Sequence, residues 1–457
     1  MLAKSRAILA AVLSVTALTA LSAYTERPAR ANGRFPRAQT ILTGDGGRII
    51  LRATFGLMTS SDHGAKFDWV CEQSMGFTGA WDPPLGLVND VLYLGLSDGL
   101  RTTKDGCGFT DVAELEGQLV SDLSVERGTV WLSTSTPKAP AFVWRARAGA
   151  HFEKLGKGIA GIYIDTLDVE HVAEPTRIYA TGVEVGKPVA PHFFRSDDGG
   201  KSFRELHPAW PSEGRLFIAD VDAGHRDRVL VRTLGVKGSD LLLSEDGGST
   251  FRVVLHFDGA MFGFARSSHV VWAGSGTATE GLFKSSDDGA TFAKVRDEVV
   301  YCLHADGTTL YACSEAYAPN GYAIAASTDE GRTFRTLAGF SDVRGPVACV
   351  SGDGIKCSEP WPQVKLALDA KVSTTSEPVD AALDAAPLTS EPSASSTAHS
   401  RCGCSVVGAD EGSRPFAIEL VGILLALIVL HRRGSRGVHR RCPSTPVSDV
   451  DLQPKTP

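Results

Sequence analysis

Aspartates and hydroxyl side chains recur in this chain at one spacing: Ser/Thr, x, Asp, x, Gly, x, Thr/Ser, Phe. The pattern reads SDDGGKSF at 196–203, SEDGGSTF at 244–251, SSDDGATF at 285–292 and STDEGRTF at 327–334. An earlier copy, SSDHGAKF at 60–67, has Lys66 in place of the hydroxyl. TKDGCGF at 103–109 is one residue short, and RARAGAHF at 145–152 keeps Gly149 and Phe152. Acid-rich turns invite a calcium reading, but the EF-hand spacing and its terminal Glu are absent. Asp62, Asp105, Asp198, Asp246, Asp287 and Asp329 are accordingly assigned to structure, and no metal or cofactor is expected. Each carboxylate can accept backbone N–H groups across its turn, and the Ser or Thr adds a second local hydrogen bond. Gly64, Gly200, Gly248, Gly289 and Gly331 allow positive φ, and the closing Phe drops into an apolar layer.

The remaining chemistry-bearing residues are scattered. Tyr163, Tyr301, Tyr317, Asp165, Asp168 and Glu315 could line a channel. His192, His207, His225 and His256 have no metal-ligand spacing and read as solvated loop residues near blade edges. WDPPLG at 81–86 either lines a binding face or is a rigid turn. No phosphate-binding Gly loop, nucleophile elbow or His-Glu-x-x-His is present.

The elements that carry these residues follow from the period. The seven boxes start at 60, 103, 145, 196, 244, 285 and 327, intervals of 41 to 51 residues. Before each box lies an alternating β-rich pair, such as RVLVRTLG and SDLLLS, and after it a short strand such as FRVVLHF. Four short strands per period of about 45 residues is the spacing of a propeller blade. The expected fold is all-β: a seven-bladed β-propeller of four-stranded antiparallel blades. The 48 Gly in 457 residues, against roughly 7% on average, agree with such a turn-rich chain.

Five good boxes at even spacing resemble the Asp-box, or BNR, propellers, a superfamily that includes sialidases, sortilin-type receptors, xyloglucan-cleaving glucanases and photosystem assembly factors. The resemblance covers about residues 36 to 345. It implies that the boxes sit on the outer rim, far from the channel, and that their aspartates are structural. The sialidase members imply an arginine triad, a Tyr-Glu nucleophile pair and an Asp acid/base, outside the two-carboxylate scheme of most glycosidases. GRFPRAQ near the N-terminus would align Arg34 with the first triad arginine, with Gly33 in place of an aromatic and Phe35 in place of an isoleucine.

Nine cysteines in a chain with an export signal read as disulfides. Cys302 and Cys313 bracket a hairpin around Asp306-Gly307: a four-residue loop makes them face one another, a two-residue Asp-Gly turn offsets them by two. Cys349 and Cys357 bracket a second small hairpin, and Cys71 and Cys107 are placed to bridge neighbouring blades. Cross-pairing among the four late cysteines is a further option. No Cys-x-x-Cys is present, which removes the usual zinc and redox readings.

The two ends carry addresses. Residues 1–31 hold Lys4 and Arg6, an apolar run from Ala7 to Ala23 and Ala29-Arg30-Ala31, the pattern of a Sec signal peptide. The propeller is expected over 32–361. Residues 362–401, rich in Ala, Ser, Thr and Pro, read as a disordered stalk. Residues 402–441 contain Cys402-Gly403-Cys404, an apolar helix at 416–430 interrupted by Glu419, and a cluster of five arginines at 432–441; 442–457 is a disordered tail. This order resembles the C-terminal sorting signal of myxobacterial surface proteins. It implies a sorting protease that cuts near Cys402 or Cys404 and a membrane contact through 416–430 before processing. The tail departs from that pattern by running about 25 residues past the first arginines, so a plain single-span anchor is the other reading.

The formal charge is −7. Residues 1–31 hold four bases and one acid, and 432–457 six and two, leaving 36 bases against 50 acids elsewhere, or −14. Such a field repels phosphate backbones, so no nucleic-acid partner is expected. Three function classes follow. The first is a non-enzymatic cell-surface binding or scaffold propeller that recognises a protein or glycan through channel-mouth loops. The others are a sialidase-like glycoside hydrolase of the exo type and an assembly or stability factor for an envelope complex. The expected location is the cell envelope, at the outer surface or membrane-anchored.

Overall fold

The computed structural model describes residues 36–370 apart from 78–81, 171–173, 223 and 317–318. The signal peptide, Arg34, the tail beyond 370 with Cys402 and Cys404, Trp81 and Tyr317 lie outside the described residues. Among the described residues no helix is long and apolar enough to cross a membrane.

Among the described residues twenty-eight strands form seven four-stranded antiparallel sheets, each built from four consecutive strands. The blades span 38–70, 85–111, 120–159, 162–206, 215–257, 261–296 and 302–338. The first strands of neighbouring blades touch, blade 1 against blades 2 and 7, blade 3 against 2 and 4, and blade 4 against 5, so these strands wall the central channel. They are Ala38–Gly44, Leu85–Val88, Val120–Glu126, Ile162–Glu170, Arg215–Val221, Met261–Ser267 and Cys302–Asp306. Each runs from one face of the ring to the other. Alternation then places the loops between blades on the face where the first strands begin, here the mouth face, and the boxes on the opposite face.

Every box joins the third strand of its blade to the fourth. In the fourth blade the Ser196 hydroxyl donates to Asp198 Oδ1 at 2.8 Å and accepts the Gly200 N–H at 2.9 Å. Asp198 also accepts the Ser202 N–H at 2.9 Å and its hydroxyl at 2.6 Å. The geometry repeats around Asp246, Asp287 and Asp329. Asp62 accepts the Ser60 hydroxyl and the Lys66 N–H, and Asp105 accepts the N–H groups of Cys107 and Gly108. These donors hold the Asp287 and Asp329 carboxyls down to about 2.

The core is divided among the blade interfaces. Seven apolar clusters fill them, and each receives the closing aromatic of one box: Phe67, Phe109, Phe152, Phe203, Phe251, Phe292 and Phe334. The box therefore anchors its blade against the preceding one, which the turn chemistry alone does not require.

The ring closes without a shared strand. Blades 1 and 7 are each continuous in the chain, so no strand is exchanged. Instead the segment after blade 7 crosses the seam. Arg344 N–H donates to Phe67 C=O, and Trp69 and the segment exchange bonds through Gly345 C=O and Val347 N–H. Arg344 also forks onto the Asp68 carboxylate. The chain then reaches the box of blade 2, where Gly354 N–H donates to Cys107 C=O. Two disulfides fasten this course, Cys71–Cys357 and Cys107–Cys349. The expected Cys349–Cys357 hairpin and Cys71–Cys107 bridge are both replaced, because 344–358 passes over blades 1 and 2 and ends in a 3-10 helix, Asp353–Ser358, rather than folding on itself.

Cys302–Cys313 does form, and the two residues face one another. The turn there is neither option foreseen: Asp306 pairs with Thr309, so Gly307 and Thr308 make a two-residue loop that keeps the facing register. The ordered domain also runs past 361. Helix α1 (Trp361–Asp369) occupies the first residues assigned to the stalk and buries Val364 and Leu368 in the cluster between blades 1 and 7. Three disulfides fit an exported protein.

Candidate functional site

The channel has two chemically different parts. Three carboxyls, Asp122, Asp168 and Asp220, stand on the first strands of blades 3, 4 and 5, and each bonds the next blade. Asp122 Oδ2 accepts the Leu167 N–H at 2.7 Å, Asp168 Oδ2 accepts the Val221 N–H at 3.2 Å, and Asp220 Oδ2 accepts Arg266 Nε–H at 2.6 Å. Asp168 Oδ1 also accepts the Ser124 hydroxyl from the preceding blade at 3.1 Å. Burial pushes all three up to about 7, and neighbouring carboxyls add to the effect: Asp168 and Asp165 on Asp122, Glu126 on Asp168, Asp168 and Asp222 on Asp220. Acids shifted this far are characteristic of active sites and of structural networks alike. Here their bonds tie blade to blade.

Asp165, a sequence candidate, is similarly committed. Its carboxylate takes Arg215 Nε–H at 2.9 Å and a second bond from Nη2. Tyr163 is pushed up to about 12 by burial beside Asp165. The four candidate histidines each face a carboxylate, His192 and His207 on Glu205, His225 on Asp222 and His256 on Asp240. His192 and His256 lie on strands, not in loops, and His192 stacks on Phe194.

The mouth is different. The first strands of blades 1, 3, 4, 5 and 6 each carry one extra residue relative to the second strand: Gln39, Ser121, Asp165, Ala219 and Phe262. Such bulges re-aim side chains at strand ends. Phe262 is 39% exposed and its ring lies 5.4 Å from that of Tyr301, which immediately precedes the first strand of blade 7. Gly276, on the loop between the second and third strands of blade 6, leaves room for the pair; a Cβ there would stand 2.8 Å from the Phe262 ring. Arg37, just ahead of blade 1, stacks its guanidinium 4.5 Å from the centre of the Tyr301 ring. The Tyr301 hydroxyl donates to Glu315 Oε2 at 3.2 Å, and burial raises that phenol. A second stack lies on blade 5, where Arg232 sits 4.7 Å and Arg215 5.7 Å from the Phe217 ring.

Of the sequence candidates the structure thus joins Tyr301 with Glu315 at the mouth and keeps Asp165 and Asp168 as inter-blade ties. Arg37, Phe217, Arg232 and Phe262 went unremarked in the sequence. A signal existed: aligned on their boxes, the repeat units put Phe262, Tyr301 and Arg37 at the starts of three successive units.

No protein-family model matches this sequence, and no curated protein matches it. Among solved structures it is similar to a GH74 enzyme from Niastella koreensis, at 12% identity over 68% of this chain and 66% of that one, with a TM-score of 0.37. It is also similar to the extracellular domain of a putative hybrid two component system from B. thetaiotaomicron, at 13% identity over 66% of this chain and 39% of that one, TM-score 0.47. YCF48 from Cyanidioschyzon merolae matches at 12% identity over 62% of this chain and 94% of that one, TM-score 0.42. The stretch aligned here thus spans less than two thirds of the first two structures.

Proposed function

We propose that this protein is a non-enzymatic binding module of the cell surface, recognising a protein or glycan through the channel mouth. The observation that carries the reading is the exposed Phe262 packed on Tyr301, with Arg37 stacked on the same ring. Large apolar rings at the channel mouth beside charged groups are what a ligand surface requires. The acids that a hydrolase would use are meanwhile occupied: Asp122, Asp165, Asp168 and Asp220 each hold a neighbouring blade. Delivery by the signal peptide, the stalk and processing at Cys402 or Cys404 by a sorting protease belong to the same reading.

One observation favours a second reading. Tyr301 and Glu315 are a Tyr–Glu pair beside an arginine, as a sialidase-like hydrolase needs. Against it, Arg215 and Arg232 face Phe217 and not Tyr301. The two readings separate in one experiment. The purified protein is assayed with fluorogenic sialosides and other glycosides, and screened against immobilised glycans and envelope proteins. The binding reading expects retention without turnover, and loss of retention in Phe262→Ala. Turnover that disappears in Glu315→Gln would replace it with the hydrolase.

A further inference from the structure

Arginines in this propeller mostly answer a carboxylate. Arg101 pairs with Asp111, Arg145 with Glu153, Arg177 with Asp197 and Asp227, and Arg344 with Asp68. Two arginines at the mouth make no ion pair among the described residues, and both lie flat on aromatic rings. Arg37 covers Tyr301. Arg232, on the second strand of blade 5, covers Phe217 and spends one N–H on the Met261 carbonyl at 2.5 Å.

Arg232 is the more telling of the two. It is half-buried between blades 5 and 6, burial pulls it down to about 10, and no acid pairs with it among the described residues. A half-buried cation without a counter-charge is poorly solvated, and an anion supplied from outside relieves the deficit. Met261, whose carbonyl it holds, is followed directly by the bulged Phe262. Phe262 in turn touches Tyr301, and Tyr301 touches Arg37. Guanidinium, ring, ring and guanidinium therefore succeed one another along the mouth from blade 5 to blade 1.

Resting on the binding reading above, we propose that the mouth takes an acidic polysaccharide, its acid groups on Arg232 and Arg37 and its sugar faces on Phe262 and Tyr301. Guanidinium is the side chain suited to carboxylate and sulfate, since its planar fork donates two parallel bonds, and stacking on a ring holds that fork in place. Aromatic faces suit the C–H faces of pyranose rings, which an extended acidic peptide lacks. Repetition of the guanidinium–ring pair suits a ligand that repeats its own acid group.

The test is calorimetric titration of the full-length protein with three probes: oligogalacturonate, isomaltohexaose as a neutral glycan, and poly-L-glutamate as an acidic peptide. Oligogalacturonate is expected to bind, more weakly as salt rises. Arg232→Gln, Arg37→Gln and Phe262→Ala should each weaken it by about tenfold or more, and Arg145→Gln on the blade rim should leave it unchanged. Gln at 232 retains a donor for the Met261 carbonyl, and Arg37 and Phe262 are independent positions should that variant fail to fold. Isomaltohexaose bound as tightly as the uronate, with the arginine variants unchanged and Phe262→Ala weakened, would overturn the acidic class and keep the mouth as a binding site. Poly-L-glutamate bound in preference to the uronate would overturn the polysaccharide. Binding of every probe unaffected by Phe262→Ala would overturn the mouth reading itself.

Discussion

At Gly248 two demands meet on one residue. Its φ is +87°, a region closed to β-branched side chains, and a Cβ there would stand 2.4 Å from the Phe193 ring of the preceding blade. Gly200, Gly289 and Gly331 repeat the arrangement, with Leu155, Leu230 and Leu282 as the neighbours. Gly248→Val should cost about 3 kcal/mol or more, from backbone strain and overpacking together, measured by urea unfolding; unchanged stability would contradict the box geometry. The carboxyls of the channel wall set a pH dependence whose sign can be worked out. Asp122, Asp168 and Asp220 titrate near 7 in the folded ring and near 4 unfolded. Between these values the folded state binds more protons, so their contribution is full at low pH and is lost as pH rises to about 7. The box aspartates Asp287 and Asp329, held near 2, act in the opposite direction, losing their contribution as pH falls below about 4. Thermal unfolding should therefore occur at higher temperature at pH 5 than at pH 8. Asp168→Asn should flatten that slope whatever it does to stability at any one pH.

Among the elements, strands and boxes were legible in the sequence and the segment after blade 7 was not. The strands announce themselves by two-residue alternation, and the boxes by a turn that needs particular residue types at particular positions. Helix α1 has neither advantage: Trp361 to Asp369 is short, follows Pro360, carries Pro362 in its first turn and runs into Ala/Ser/Thr/Pro-rich chain. Its signal was the i, i+4 pair of Val364 and Leu368, which face the blade 1–7 cluster while Leu366 points to solvent at 73% exposure. Leu368→Ala should accordingly cost about 3 kcal/mol, and Leu366→Ala within about 0.5 kcal/mol of nothing, both read from chemical denaturation. Equal effects of the two would mean that the helix does not dock. The mouth bulges were likewise invisible, because an inserted residue such as Phe262 shows itself only against the strand it pairs with.

For the whole molecule, closure is the decisive feature. A propeller whose first and last blades are each complete has a seam with no shared strand, and here the seam is crossed by 344–369 and pinned by Cys71–Cys357 and Cys107–Cys349, bonds 286 and 242 residues apart in sequence. Losing both bridges in Cys349→Ser/Cys357→Ser should cost about 2 to 5 kcal/mol per bridge and expose 344–369 to proteolysis ahead of the blades. Retention of native stability and protease resistance would shift closure onto the strand and helix contacts. The division between sequence and structure follows from range. Blade number, blade boundaries, box chemistry and the cysteines that pair are local or periodic properties, and local residue types determine them. The partners of Cys71, Cys107, Cys349 and Cys357, the docking of helix α1 and the set of side chains that share the mouth depend on residues brought together from opposite ends of the chain, so only the closed ring decided them.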